Sequence, residues 1–394
     1  MTRTRVYRRI GPLAVAIAAV TSSADAQSVS EALTFLVTNQ SVATDSVERD
    51  RDAALRTSDT ISRALLATLA TLPVNTSSSG FVYRLNPELG TVERASRSFG
   101  PFFTERAMTA SRHQASFGMT YQNVRFTALD GRGLRDGSLA TTANQFTDES
   151  APFDVDNLTL NLVASVATLY GNLGVTDRLE VGFAAPFVAL SLDGSRINTY
   201  RGRTFTQATV RARATGFADP VVRTKYTVFD EDGTWLAAAA DVRLPIGRRE
   251  DLLGSGSASV KFTGIGSLEN GRTSTHANLG LSLGGLATEI SSGGAVTFAA
   301  TERVSLIGEL FARWLDSPGH IVAESAPHPR LAGVQTIRLA PDSSNLRIVT
   351  VVPGLKWNLT DTWVFACNVS IPLTKGGLTA PFTPFIGLDY ALGR

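Results

Sequence analysis

The chain has 394 residues, with 37 basic and 35 acidic side chains, a formal charge of +2, 34 glycines and one cysteine, Cys367. A single cysteine excludes an intramolecular disulfide, so packing and hydrogen bonds must stabilise the fold. The nearly balanced charge gives no indication of a nucleic-acid-binding surface.

The first 26 residues have the pattern of a secretory signal peptide. TRTRVYRR supplies four arginines, IGPLAVAIAAV forms a short apolar core, and SSADA places small residues at Ala24 and Ala26. The apolar run is much shorter than the roughly 20 residues that a membrane-spanning helix needs. Residues 1–26 hold four Arg and one Asp, so their removal lowers the formal charge from +2 to −1. We therefore predict cleavage after Ala26 and export of the remaining chain.

Residues 27–112 differ in sequence pattern from the C-terminal part of the chain, and we treat them as an N-terminal extension. Ser28 and Glu31 have the spacing of a capping box, and apolar residues from Ile61 to Leu72 follow a helical stripe that Pro73 ends. The later stretch FVYRLNPELGTVERAS has the turn residues of a small hairpin. Two short helices and a hairpin are predicted, forming either a plug that enters the next domain or a loosely held periplasmic segment.

Residues 113–394 alternate between apolar and polar side chains with a period of two, which is the pattern of β-strands. In RLEVGFAAPFVAL, for example, Phe183 and Phe187 share one face and Glu180 lies on the other. Twelve strands are predicted, near residues 113–128, 156–171, 177–192, 219–229, 234–246, 257–268, 273–285, 293–300, 303–315, 346–358, 362–373 and 382–392.

The connections between these strands alternate strictly between short and long. Those after strands 2, 4, 6, 8 and 10 have about two to six residues, and the others run from roughly seven to thirty. A Greek-key sandwich would not sort its connections in this way, whereas an outer-membrane barrel has short periplasmic turns and long external loops. The sequence predicts an all-β protein, a transmembrane up-and-down antiparallel β-barrel of about 12 strands. Such a barrel would lie in the lipid bilayer of a bacterial outer membrane, inserted by the barrel-assembly machinery.

The polar strand faces would line the barrel lumen, because a charge that faces lipid costs a few kcal/mol. Four acids and five bases nearly balance there, so strong ion selectivity is not predicted. The predicted lumen-lining residues are Glu180, Arg223, Lys225, Asp241, Arg243, His276, Glu309, Arg313, Lys356 and Asp389.

Aromatic residues near the predicted strand ends suggest two interfacial girdles, one at each membrane surface. Several flank the short turns, and one lies about a strand length away near the opposite rim. The predicted interfacial aromatics are Tyr170, Tyr226, Trp235, Trp314, Trp357 and Trp363.

Several motifs carry a resemblance to known proteins. GFADPVVRTKY precedes a tight turn and DVRLPIG, and GVTDRLEVG forms a second hairpin. Over roughly residues 156–392 these motifs resemble the family of outer-membrane transporters named for meta-pathway phenol degradation. In the last strand, Gly387, Tyr390 and Leu392 resemble the C-terminal sorting signal of bacterial outer-membrane barrels. The family resemblance implies a barrel linked to the uptake of small, often aromatic, molecules.

We predict a non-enzymatic channel for passive or weakly selective passage of small solutes, without a cofactor. No metal site is expected, since the four histidines lack metal-ligand spacing. Ser274, His276 and Asn278 share a strand face and resemble the residue types of the outer-membrane phospholipase, so a lipid hydrolase is one alternative. Alternate residues on a strand lie about 7 Å apart, however, which is too far for a serine–histidine hydrogen bond. A non-conducting scaffold or surface-binding barrel is the other alternative.

Overall fold

The computed structural model describes residues 27–42, 50–70, 83–86, 91–94, 96–360 and 362–392. The predicted signal peptide, residues 1–26, lies outside the described residues. The predicted hairpin of the extension is present, with strands Tyr83–Asn86 and Thr91–Arg94 paired antiparallel.

Twelve antiparallel strands close into an up-and-down barrel, as predicted. The barrel strands are β1 (Ala115–Phe126), β2 (Asp154–Gly174), β3 (Leu179–Tyr200), β4 (Val221–Glu231), β5 (Thr234–Arg243), β6 (Ser259–Asn270), β7 (Thr273–Gly284), β8 (Glu289–Ala299), β9 (Val304–Leu315), β10 (Leu346–Thr360), β11 (Trp363–Pro372) and β12 (Thr383–Leu392). Each pairs with its neighbour in the chain, and β12 pairs with β1 from Leu392 opposite Ala115 to Phe385 opposite Gln122. This last pairing closes the sheet and leaves the barrel without an unpaired edge.

The outer face of the barrel is apolar where the strands would cross a bilayer. On β4, Val222 and Tyr226 are exposed while Arg223 and Lys225 between them are buried. On β7 the outward-facing Leu279 is 64% exposed. This alternation gives the barrel a lipid-facing belt and directs the charged side chains inward.

Two of the predicted interfacial aromatics are wrong, because their side chains point into the barrel. Tyr170 is 2% exposed and donates a hydrogen bond to Asp389, and Trp235 is 8% exposed and packs against Met108 and Ile265. Each belongs to the inward-facing set of its strand and follows or precedes an exposed residue, Leu169 before Tyr170 and Leu236 after Trp235. The other four face outward, namely Tyr226, Trp314, Trp357 and Trp363.

On one side, the sheet continues beyond the barrel toward the long loops. The ends of β2 and β3 pair with strands Leu139–Phe146 and Arg203–Phe217, and the hairpin Ile321–Pro327/Val334–Pro341 extends the row. Three further short strands, Ala128–Leu129, Arg132–Gly133 and Leu378–Thr379, pair nearby. The same sheet therefore extends beyond the barrel along part of the outer mouth.

Two helices, α1 (Val29–Thr38) and α2 (Arg51–Leu69), fill the outer half of the lumen. The capping box of α1 is complete, because the Ser28 hydroxyl accepts from Glu31 N at 3.2 Å and the Glu31 carboxylate accepts from Ser28 N at 3.0 Å. The helices pack on apolar side chains that β2 and β3 turn inward, including Leu160 and Leu190. This half of the lumen is thus an apolar core. Neither described helix is long and apolar enough to cross a bilayer.

Replacing Leu65 by alanine should loosen α2. Leu65 is fully buried in the apolar core, so Leu65→Ala removes packing worth about 2–5 kcal/mol. We expect faster amide hydrogen exchange throughout α2 while the barrel strands stay protected. Leu55→Ala is the matched control, since Leu55 lies on the same helix and is 43% exposed. Equal exchange in the two variants would contradict the packing described for α2.

Candidate functional site

Residues 96–112, which we call the lumen segment, lie inside the barrel near the rim that carries the short turns. This is the periplasmic rim by the usual architecture of such barrels. The Ser98 hydroxyl is 2.8 Å from the hydroxyls of both Ser274 and Thr297, and Ala107 N donates to the Ser267 hydroxyl at 2.8 Å. The chain then returns to the wall, where Arg112 N bonds Asp177 in a short turn at 3.2 Å. The lumen segment therefore enters the periplasmic half of the barrel and leaves it again just before β1.

Glu309 on β9 holds the innermost part of the lumen segment. Its carboxylate accepts hydrogen bonds from three consecutive backbone N–H groups, those of Phe102, Phe103 at 3.0 Å and Thr104 at 2.8 Å. Hydrogen bonds to an ionised acceptor are among the stronger ones in proteins. A buried carboxylate without such partners would cost several kcal/mol. The carboxylate and the three amides therefore satisfy each other's need for a hydrogen-bond partner.

Lys356 on β10 binds the same part of the segment with the opposite charge. Its Nζ donates to the carbonyl oxygens of Gly100 at 2.6 Å and Pro101 at 2.7 Å. The ammonium group also lies 4.8 Å from the centre of the Phe102 ring, in cation–π range. An acid and a base on adjacent strands thus hold the donors and the acceptors of one short stretch of backbone.

The return of the segment is held by ion pairs. Arg223 bonds Glu105 of the segment and donates to Asp241 at 2.6 Å. Glu180 accepts from Ala110 N at 2.7 Å and lies 3.4 Å from the Lys225 ammonium. Four of the predicted lumen residues therefore contact the segment directly, namely Glu180, Arg223, Glu309 and Lys356.

The remaining predicted lumen residues also lie inside the barrel, where they bond other residues of the wall or, for Arg243, the extension. Arg313 pairs with Glu289 at 2.5 Å, and the guanidinium of Arg243 donates to the Ala70 carbonyl at 2.9 Å. The structure thus places all ten side chains inside, where the protein fills the space that they were predicted to line. Glu105 and Glu289 are partners that the sequence analysis missed. For Glu105, the sequence offered one signal, namely that Glu105 and Arg106 are charged within the otherwise uncharged stretch GPFFTERAM.

The residues of the hydrolase alternative are not joined as that activity requires. His276 Nδ1 is 2.8 Å from the hydroxyl of Ser267 on β6, and Ser274 instead bonds Ser98 of the lumen segment. Ser267 is also occupied by its bond from the backbone of Ala107. Within the described ranges, no group of three or more His, Cys, Asp or Glu side chains is arranged to hold a metal ion.

The long loops are tied together at the outer mouth. The Asp130 carboxylate is 2.6 Å from His320 Nδ1, and Asp130 N donates to the Gly377 carbonyl at 2.7 Å. Asp342 accepts from His320 N at 2.8 Å. A hydrogen bond from the Ser344 hydroxyl is the main reason that the pKa of Asp342 lies below its usual value. Three loops are therefore fixed to one another above α1 and α2.

A closed barrel with an apolar belt, a charged interior and a filled lumen is an outer-membrane β-barrel. The family model described as "Putative MetA-pathway of phenol degradation" matches residues 137–306, which confirms over that stretch the resemblance predicted from the motifs. A comparison with curated proteins gave no match.

Solved structures of outer-membrane proteins resemble the chain at low identity. An outer membrane channel from Pseudomonas putida F1 is 12% identical with a TM-score of 0.45, over 73% of this chain and 98% of that one. OmpT of Vibrio cholerae is 8% identical with a TM-score of 0.30, over 72% of this chain and 100% of that one. The transport unit of the autotransporter AIDA-I from Escherichia coli is 11% identical with a TM-score of 0.36, over 70% and 90%.

Removing the Glu309 carboxylate should release the lumen segment. In Glu309→Ala three buried amides lose their acceptor, and each such loss costs about 1–3 kcal/mol. We expect amide exchange at residues 99–105 to accelerate by about tenfold or more, with barrel strands unchanged. Glu324→Ala is the control, because Glu324 pairs with Arg338 at 2.9 Å in an outer hairpin. Unchanged exchange at residues 102–104 in Glu309→Ala would contradict the role given to this carboxylate.

Proposed function

We propose that the protein is a channel of the bacterial outer membrane and that the structure is its closed state. Small solutes would pass after the lumen segment leaves the periplasmic half of the barrel. The observation that carries the proposal is the way the segment is held, by hydrogen bonds and ion pairs from Glu180, Arg223, Glu309 and Lys356.

Contacts of this kind suit a part that moves. A protein hydrogen bond to a charged group contributes about 1.5–3 kcal/mol net, because water replaces it when it breaks. Water entering from the periplasm can solvate both the wall charges and the released backbone. A permanent filling would be cheaper to build from apolar side chains, because buried ion pairs are often no more stabilising than well-packed hydrophobic residues. The polar attachment therefore favours a gate over a fixed core.

The apolar packing of α1 and α2 supports the second candidate, a non-conducting barrel. Leu33, Leu36 and Leu65 are fully buried against the inner faces of β2 and β3. Exposing such a surface to water costs about 25 cal/mol per Å², and no polar partner offsets the cost. The channel proposal therefore requires that α1 and α2 leave a path or shift together with the outer loops.

We further propose that the solutes are small, often aromatic, molecules and that the channel selects only weakly by charge. The family match named for phenol degradation supports the aromatic class. The wall charges support weak ion selectivity, since Arg223 is paired with Asp241 and Lys225 with Glu180. Delivery by the predicted signal peptide and the barrel-assembly machinery belongs to the same proposal.

A reversible cross-link tests the gate. Ser98 and Ser274 have their hydroxyl oxygens 2.8 Å apart, so Ser98→Cys/Ser274→Cys, made in a Cys367→Ser background, should form a disulfide between the lumen segment and β7. We expect single-channel openings from the reduced protein in a planar bilayer and silence after oxidation. Deleting residues 27–112 is a poorer test, because it would leave the apolar inner faces of β2 and β3 uncovered.

The control is Ser98→Cys in the same Cys367→Ser background, which has one thiol and should be insensitive to oxidation. Equal conductance of the oxidised and reduced double variant would contradict a gate at the lumen segment. A folded barrel that stays silent in both states would favour the non-conducting candidate.

A further inference from the structure

On the outside of the barrel, the side chains of β1, β2 and β3 change from apolar to polar toward the long loops. On β1 the outward side chains run from Phe117 and Met119 to Asn123 and Arg125 as the strand approaches the long loops, and all four are exposed. On β7, by contrast, the outward positions stay apolar as far as Leu283, next to the end of the strand. The polar outer wall on this side is therefore a local feature of these strands, and we call it the basic face.

Two arginines stand at the ends of one cross-strand row of the basic face. Arg125 is paired with Val163, Val163 with Ser191, and Ser191 with Arg213 on strand Arg203–Phe217. Three strand spacings of roughly 4.8 Å put the two arginine Cα atoms about 14 Å apart. Arg125 donates to the Asn161 amide oxygen at 3.3 Å, and neither arginine pairs with a carboxylate among the described residues. Within the part of the chain that the structure describes, these two exposed positive charges therefore have no carboxylate to neutralise them.

A groove of about 540 Å³ adjoins this row on the side of the long loops. Hydroxyl groups line it, and those of Thr159 and Ser195 lie 2.7 Å apart. Arg135 and Arg211 add two guanidinium groups, of which Arg211 pairs with Asp193 at 2.5 Å. Hydroxyl, carboxylate and guanidinium groups in one groove match the hydrogen-bonding groups of a sugar.

Apolar side chains continue the basic face toward the membrane. Phe187 on β3 and Phe217 on the neighbouring strand are both exposed, with their ring centres 5.4 Å apart. They are paired four residues from Ser191 and Arg213, or about 13 Å along the strands. The wall thus presents an apolar surface, then arginines, then a polar groove, in the order of the parts of a membrane glycolipid.

We propose that the basic face binds a phosphorylated glycolipid of the outer leaflet. Arg125 and Arg213 contact its phosphate groups, the groove holds its sugar, and its acyl chains lie on Phe187 and Phe217. Arginine suits this role because its planar guanidinium forms paired hydrogen bonds with phosphate oxygens. The proposal concerns the outside of the wall, so it stands or falls independently of the gate in the lumen.

The test measures lipid binding to the full-length protein in detergent by native mass spectrometry. The probe is bisphosphorylated lipid A, compared with the same lipid after removal of its phosphates. Because each basic side chain near an anionic lipid strengthens its binding, Arg125→Gln/Arg213→Gln should weaken binding by about 10- to 30-fold. The matched control is Arg178→Gln/Arg303→Gln, which removes the same charge from exposed arginines of two short turns at the opposite rim.

The proposal predicts tight binding of the phosphorylated lipid, weak binding of the dephosphorylated one, and no loss in the control. Heat-dependent gel mobility of all variants establishes that each barrel is folded. Equal losses in the two double variants would overturn the proposal, because binding would then follow total charge alone. Inorganic phosphate that displaced the lipid at equal concentration would overturn it as well, since the face would then be a simple anion site.

Discussion

The bond between the Glu309 carboxylate and three successive amides is the contact on which the closed lumen depends. A charge inside a filled barrel is shielded from bulk water, so the protein must supply its partners. Here the partners are backbone groups of the chain's own extension. Lys356 does the converse, because its ammonium group donates hydrogen bonds to the carbonyls of Gly100 and Pro101. In the closed state, Glu309, Lys356 and the lumen segment therefore supply each other's hydrogen-bonding partners.

The lumen is divided into two halves with different chemistry. The periplasmic half is polar and is closed by a short irregular segment, whereas the outer half is apolar and is filled by α1 and α2. The difference arises from the inward faces of the strands, which are apolar near Leu160 and Leu190 and charged near Glu180 and Glu309. Motion in the polar half exchanges protein hydrogen bonds for water, while motion in the apolar half must move packed helices together. The two halves would thus open by different means.

The barrel could be predicted from the sequence because its two signals are local. A period of two marks each strand, and the parity of connection lengths fixes an up-and-down order. It was harder to predict which face of each strand points inward, because a filled lumen allows apolar inward faces as well as polar ones. Tyr170 and Trp235 were misplaced for this reason, since they face inward with partners from distant parts of the chain. The partners of Glu309 could not be predicted either, because they are backbone amides about 205 residues away in sequence.

The central claim, that the wall holds the lumen segment inside the barrel, is tested most directly by a distance measurement in lipid nanodiscs. Spin labels at Arg97→Cys and Arg178→Cys, in a Cys367→Ser background, would report the distance from the segment to a short turn, and both positions are exposed. A docked segment predicts a single narrow distance distribution that broadens when Glu309→Ala is added. A broad distribution in the otherwise unchanged protein would contradict a segment held by the wall.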